Sequence, residues 1–414
     1  MKRRVVITGM GAITPIGNNI EESWDSLKNG RSGIDKITRF DASDYTVKIA
    51  GELKDFKPEE YIDRKNLKKM DFFTQYAVCS AIQAVKDSGI NFGDCDVERA
   101  GVIVGSGIGG MLTFENQNKV LIEKGPRRIS PFFIPMLIPD IAPGHISIMY
   151  GLKGPNYAVI SACATAVHAF GDAFRIIQRG EADVMVSGGA EAPVTPMGIG
   201  GFAALKALST RNDEPEKASR PFDEKRDGFI VSEGAGILIL ESLEHAQKRN
   251  AKIYCEVGGI GMTADAYHLT APDPEGDGAY RAMKNAILDA GMTIEDIDYI
   301  NAHGTSTEYN DKIETYAIKR LFNQRAYDIP ISSTKSMTGH MLGAAGGIEI
   351  IAAVLTIVNS IIPPTINYEF PDKDCDLDYT PNVAREKEVN VALNNGFGFG
   401  GHNACVLLKK FNGS

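Results

Sequence analysis

The chain has 414 residues, of which 43% are hydrophobic, enough for one large core or for two units sharing one. Its 44 basic and 53 acidic residues leave a net charge of −9, which argues against nucleic acid as a general partner. Six cysteines fall without any CxxC spacing, so neither a zinc site nor a disulfide framework is expected, and a reducing cytoplasmic setting fits best.

The first segment, Val5–Thr8, is a β-branched run that breaks at once into Gly9, so it reads as a strand and turn rather than a signal peptide. Further buried strands are predicted at Gly101–Val104, Tyr157–Ile160 and Val184–Ser187. Helices are predicted at Phe72–Gly89, Ala164–Gly180 and Gly278–Gly291, the last two closed by glycine. Continuous apolar strands between helices imply an α/β fold with both sheet faces covered. The most apolar stretch, Ile348–Ile362, carries Glu349 and is too short for a membrane span, so it reads as a buried helix.

A weak repeat links the two ends of the chain. Val5-Val6-Ile7-Thr8-Gly9-Met10-Gly11 is echoed by Cys255-Glu256-Val257-Gly258-Gly259-Ile260-Gly261, and the strand ending at Leu240 is echoed by the one ending at Leu408. Two similar α/β halves, 1–250 and 251–414, are therefore expected, with an active site between them.

Three motifs carry chemistry. In Ser161-Ala162-Cys163-Ala164-Thr165, a cysteine stands where an apolar run meets a small-residue helix. The helix end would favour the thiolate, the nucleophilic form, although a free cysteine is more often buried and inert. Asn301-Ala302-His303-Gly304-Thr305-Ser306-Thr307 places a histidine at a strand end in a hydroxyl-rich turn. Lys335-Ser336-Met337-Thr338-Gly339-His340 places another before a glycine-rich helix start, with Lys335 and Glu349 flanking His340 as an ion pair able to orient it. One cysteine with two such histidines suggests a covalent thioester site. The turn Gly396-Phe397-Gly398-Phe399-Gly400-Gly401 could offer a backbone N–H to an oxyanion. Gly105-Ser106-Gly107-Ile108-Gly109-Gly110 matches a dinucleotide fingerprint, but a hundred residues precede it and a proline-rich loop follows, so that match is set aside. Arg64, Lys65, Lys68 and Lys69 follow helical spacing, and Arg127 with Arg128 sits in a loop. These are ordinary solvated charges or a landing site for an acidic carrier.

The combination of SACAT around Cys163, NAHGTST around His303, KSMTGHMLGAAGG around His340 and the terminal GFGFGG resembles the β-ketoacyl-acyl-carrier-protein synthases, and does so over essentially the whole chain. The resemblance implies a thiolase-like fold: duplicated α/β halves in a five-layered α-β-α-β-α sandwich, assembled as a homodimer. It implies that Cys163 carries the acyl group and that the Cys163 and Phe399 N–H groups hold the oxyanion, with Phe399 as a gate. His303 and His340 would drive decarboxylation of malonyl-carrier protein, while Lys335 and Glu349 support His340. Ile108 would belong to the acyl pocket, and Lys65, Lys68, Lys69, Arg127 and Arg128 would receive the acyl carrier protein. No metal or other cofactor, no nucleic acid and no membrane is implied. The passages Leu208–Asp213 and Ile362–Asn367 resemble the type II enzymes, whereas Ser161, Ser232 and Tyr309-Asn310 depart from them, which touches chain-length range rather than chemistry. A type I or polyketide-type relative is the alternative.

Overall fold

The computed structural model describes residues 2–413. Ten strands form its main sheet: β1 (Val5–Ile13), β2 (Ala100–Gly105), β3 (Asn156–Tyr157), β4 (Val184–Glu191), β5 (Gly234–Ser242), β6 (Cys255–Ala264), β7 (Tyr299–Asn301), β8 (Ile331–Ser332), β9 (Val391–Gly398) and β10 (His402–Lys409). Five of its longer helices bear on the site: α1 (Phe72–Ser88), α2 (Thr165–Gln178), α3 (Asp277–Asp289), α4 (Glu308–Phe322) and α5 (Ala345–Asn359).

Strand order is β3-β2-β4-β5-β1-β6-β10-β9-β7-β8. In the first half, β1 to β5 and β5 to β4 are antiparallel, while β4 to β2 and β2 to β3 are parallel. In the second half, β6, β10, β9, β7 and β8 repeat that sequence of pairings. Each strand thus has a counterpart five later, and the chain crosses between the sets after Ser242 and before Cys255. The two sets meet where β1 pairs antiparallel with β6, Val5 opposite Val257.

Helices complete five layers. Helix α1 covers β1, β5 and β4 on one outer face, and α3 covers β6, β10 and β9 on the other. Between the half-sheets lie α2 and α5, each touching strands of both halves and each other. This middle position explains why α5 is apolar on every side: residues 345–357 are all buried. The repeat seen in the sequence has a packing cause. A Cβ on Gly9 or Gly11 would overlap a carbonyl oxygen of α1, at Ala84 or Ser80, and one on Gly259 or Gly261 would overlap α3, at Ala286 or Ala282. Each founding strand needs bare backbone where its outer helix presses closest.

Elements differ from the sequence reading mainly in extent. Strands β1 and β4 run to Ile13 and Glu191. The strand expected at Tyr157–Ile160 pairs only at Asn156 and Tyr157, opposite Val102 and Ile103. Beyond it, the Ser161 N–H donates to Thr165 Oγ1 at 2.8 Å, so the chain has left the sheet for the turn. The basic stretch forms only a four-residue helix, Arg64–Leu67, capped by Asp63.

Two turns occupy matching places in the halves. Ala162–Ala164 follows β3 and leads into α2, and Leu342–Ala344 follows β8 and leads into α5. Both open on a non-glycine residue in the left-handed region, Ala162 at φ 50° and Leu342 at φ 45°. They face each other across the middle layer.

Candidate active site

Cys163 lies in the first of these turns. It is held on one side by the turn's own bonds and on the other by the glycine hairpin between β9 and β10. A Cβ at Gly398 would stand 2.8 Å from the Ser161 carbonyl and 3.0 Å from the Cys163 nitrogen, so only glycine lets the hairpin lie this close. The Phe399 N–H then donates to the Cys163 sulfur. The helix-end argument for a resting thiolate fails here. Burial pushes the Cys163 thiol up to about 12; the Lys335 charge and the Phe399 N–H oppose this, while Glu191 and Glu349 add to it. The resting group is the thiol.

His303 leaves the end of β7 in a turn fastened from behind by α4. Glu314 accepts the His303 N–H and the Gly304 N–H, both at 2.8 Å, and the Asn395 amide at 3.0 Å. One turn earlier on α4, Asp311 accepts from Thr305 N–H at 3.0 Å and Phe222 N–H at 2.8 Å. Burial raises the Glu314 carboxyl to about 7 against these bonds. Glu314 and Asp311 fasten the His303 turn and were missed in the sequence reading; the sole signal was two acids one helical turn apart, just after the histidine turn.

His340 precedes the second turn. Its N–H donates to the Ile230 carbonyl at 2.8 Å and its carbonyl accepts from Ser232 N–H at 3.0 Å. Phe229 packs edge-on, ring centroids 5.3 Å apart. The His303 and His340 rings lie 5.4 Å apart at 83°, and both are nearly sealed from solvent. Burial holds each imidazole well below its usual range, and the Lys335 ammonium adds to the effect, so both are neutral.

Lys335 and Glu349 form the buried ion pair that the sequence suggested, but they serve the other histidine. Lys335 Nζ bonds Glu349, donates to the His303 carbonyl at 2.6 Å and lies 3.3 Å from His303 Nδ1. An ammonium has no lone pair, so Nδ1 must accept and the His303 proton sits on Nε2. The expected support of His340 is corrected: among the described residues, His340 Nδ1 has no hydrogen-bond partner. Lys335 opens a short helix, Lys335–Thr338, soon after β8, and β8 pairs in parallel with β7, from whose end the His303 turn departs; this brings Lys335 beside His303.

A cavity of about 390 Å³ joins these groups, lined by Cys163, His303, His340, Phe229, Phe397 and Phe399 together with Thr270, Thr305 and Thr307. Its walls come from both halves. Ile108 is not in the lining; it belongs with Leu342 to an apolar cluster whose other members Cys163, Phe202 and Phe229 do line the cavity. Lys65, Lys68, Arg127 and Arg128 are exposed, and Lys69 is half-buried with its ammonium 5.4 Å from the Phe132 ring centroid. That contact sets the first basic segment against the loop following the second; none of the five residues lines the cavity. Ser161 Oγ meets His168 Nδ1 at 2.8 Å, Ser232 Oγ donates to the Thr338 carbonyl at 2.7 Å, and Tyr309 stands exposed at the mouth.

The chain is 56% identical over 409 residues to the 3-oxoacyl-[acyl-carrier-protein] synthase 2 of Staphylococcus aureus strain N315, covering 99% of both chains. It is 53% identical over 409 residues to the enzyme of the same name from Coxiella burnetii, again covering 99% of both. Among solved structures, the ishigamide ketosynthase/chain length factor superposes with a TM-score of 0.93 at 37% identity. A type II polyketide ketosynthase in complex with its acyl-carrier protein gives 0.92 at 35%; each comparison covers 100% of both chains. The fold is thiolase-like. The β-ketoacyl synthase N-terminal domain matches residues 2–246 and the C-terminal domain residues 254–369, and the chain belongs to the β-ketoacyl synthase family.

Proposed function

We propose that Cys163 takes an acyl group from acyl carrier protein and that His303 and His340 direct the decarboxylative condensation of malonyl-carrier protein onto it, lengthening the acyl chain by two carbons. The observation that carries this reading is one cavity holding a cysteine sulfur under a backbone N–H and two neutral imidazoles. The thiol adds to the incoming thioester carbonyl. Its oxygen is held by the N–H groups of Cys163 and Phe399, and the carrier thiol departs with the proton, leaving an acyl-cysteine. His303 Nε2–H and the His340 ring then donate to the malonyl thioester carbonyl. Loss of carbon dioxide leaves an enolate held by those bonds, and its carbon attacks the acyl-Cys163 carbonyl, expelling the sulfur. This chemistry needs no metal or redox cofactor; the phosphopantetheine arrives with the carrier.

The carrier partner is supported by the solved ketosynthase complex with its acyl-carrier protein and by the adjoining basic segments at Lys65, Lys68, Lys69, Arg127 and Arg128. The unpaired outer edge of β3, beside exposed Ile160, suits a second copy of the chain, and residues 1–250 and 251–414 act as the duplicated units. Six free cysteines suit a reducing cytoplasm. Fatty-acid elongation is preferred over a polyketide role because relatives with the synthase 2 name are 53–56% identical, against 35% for the type II polyketide ketosynthase.

The test separates the two roles. Cys163→Ala abolishes chain elongation, and an elongating variant would refute the nucleophile. Cys163→Gln still releases carbon dioxide from malonyl-carrier protein; a folded variant without that activity would refute the role given to the histidines.

A further inference from the structure

At the end of β4 stands Glu191, fully buried and unused by the chemistry above. Its Oε1 accepts the Ser106 hydroxyl at 2.6 Å and the Ile108 N–H at 3.1 Å. Its Oε2 accepts the Gly107 N–H at 2.7 Å and the Gly343 N–H at 2.9 Å. Ser106 Oγ in turn accepts the Gly109 N–H at 3.0 Å. One carboxylate therefore fastens two turns from different halves, the glycine turn after β2 and the turn after His340. A Cβ at Gly107 or Gly343 would stand 2.8 or 2.5 Å from Oε2, which accounts for glycine at both. The dinucleotide-like motif has the same explanation: its N–H groups converge on an anion, and the anion is the protein's own.

Ile108, held by its own N–H, and Leu342, which precedes the held Gly343, belong to the apolar cluster that also contains Cys163. The cavity lining includes Cys163 and Phe202 of this cluster but neither Ile108 nor Leu342, so an acyl chain extending from the sulfur into the cluster would have to pass those two side chains. We infer that Glu191 is a positioning residue for acyl-chain selection: by anchoring both turns, it sets how far Ile108 and Leu342 stand from the chain bound at Cys163. The inference rests on the acyl-enzyme reading above. Glutamine cannot replace the carboxylate, because each oxygen faces a backbone N–H. The variant amide keeps its oxygen toward Gly107 and Gly343 and turns its NH₂ toward Ser106 and Ile108; the hydroxyl can rotate to accept, but the Ile108 N–H is opposed.

The experiment measures acylation of Cys163 by hexanoyl- and palmitoyl-carrier protein, by mass spectrometry of the intact protein, in the unsubstituted chain, Glu191→Gln and Ser106→Ala. The expected result is a change of about fivefold or more in the ratio of the two rates for Glu191→Gln, the order expected when pocket shape discriminates alkyl groups. A smaller change in the same direction is expected for Ser106→Ala, which loses one of the four bonds and decides the matter if Glu191→Gln fails to fold. Equal loss for both chain lengths, or an unchanged ratio in the folded variants, overturns the inference. Failure of the unsubstituted protein to acylate with either substrate would instead refute the proposed function.

Discussion

The buried pair Lys335–Glu349 gives the sharpest test of how the site is held. Replacing Lys335 with Met leaves the Glu349 carboxylate in a region where both side chains are almost wholly buried. An uncompensated buried charge of this kind costs about 3–5 kcal/mol. With an unfolding entropy of about 2.1 cal/mol/K per residue, a chain of 414 residues carries roughly 0.9 kcal/mol/K, so the melting temperature should fall by about 3–6 °C. Glu349→Leu strands the ammonium in the same way. The double variant Lys335→Met/Glu349→Leu removes both charges and loses the bonds of Lys335 to the His303 carbonyl and to His303 Nδ1, at about 1–3 kcal/mol for each acceptor left unmet. It should therefore be more stable than the sum of the single effects by at least about 2 kcal/mol, read as a double-mutant cycle from denaturant unfolding. Decarboxylation should not recover with stability, because His303 Nδ1 has lost the donor that keeps its proton on Nε2. Carbon dioxide release should stay down by about 10²-fold or more, the usual worth of a positioned proton donor. Additive single effects, or a double variant with restored decarboxylation, would refute the assignment of this pair to His303.

Three further outcomes follow from the geometry. Alkylation of Cys163 by iodoacetamide, read by peptide mass spectrometry, should keep rising with pH past 9, because burial sets the thiol near 12; a plateau below pH 8 would mean a resting thiolate. Both imidazoles titrate near 6.5 in the unfolded chain and well below that when folded, so below about pH 6.5 the unfolded chain binds more protons and stability falls as pH falls. His340→Phe should flatten the melting temperature against pH between about 5.5 and 6.5, and an unchanged slope would show that His340 titrates normally. Gly398→Ala should fold yet lose acylation at Cys163, since the new Cβ would sit 3.0 Å from the Cys163 nitrogen and displace the Phe399 N–H; retained acylation would remove that N–H from the oxyanion site.

The alternation of apolar strands and small-residue helices, the repeat at Gly9–Gly11 and Gly259–Gly261, and the three turns bearing Cys163, His303 and His340 were legible because each is local in the chain. What escaped the reading depends on distance. Lys335 is 32 residues from His303 and 5 from His340, so proximity in sequence pointed to the wrong histidine. Glu191 ends an ordinary buried strand, and only folding brings Gly107 and Gly343 to its oxygens. The state of the Cys163 thiol was misread for a related reason. The helix start is visible in the sequence, whereas the burial that outweighs it is made by residues far along the chain.

The antiparallel seam between β1 and β6 joins two equivalent strands, the arrangement of an isologous twofold interface contained within one polypeptide. In a true homodimer, every feature near the axis must appear twice, and a change that helps one copy is imposed on the other. Here the turns at Ala162–Ala164 and Leu342–Ala344 are mates across that axis, yet one presents a sulfur and the other follows an imidazole. Within one polypeptide they are free to differ: one turn can specialise in holding a chain and the other in stabilising a carbanion, on a frame whose symmetry no longer binds its chemistry.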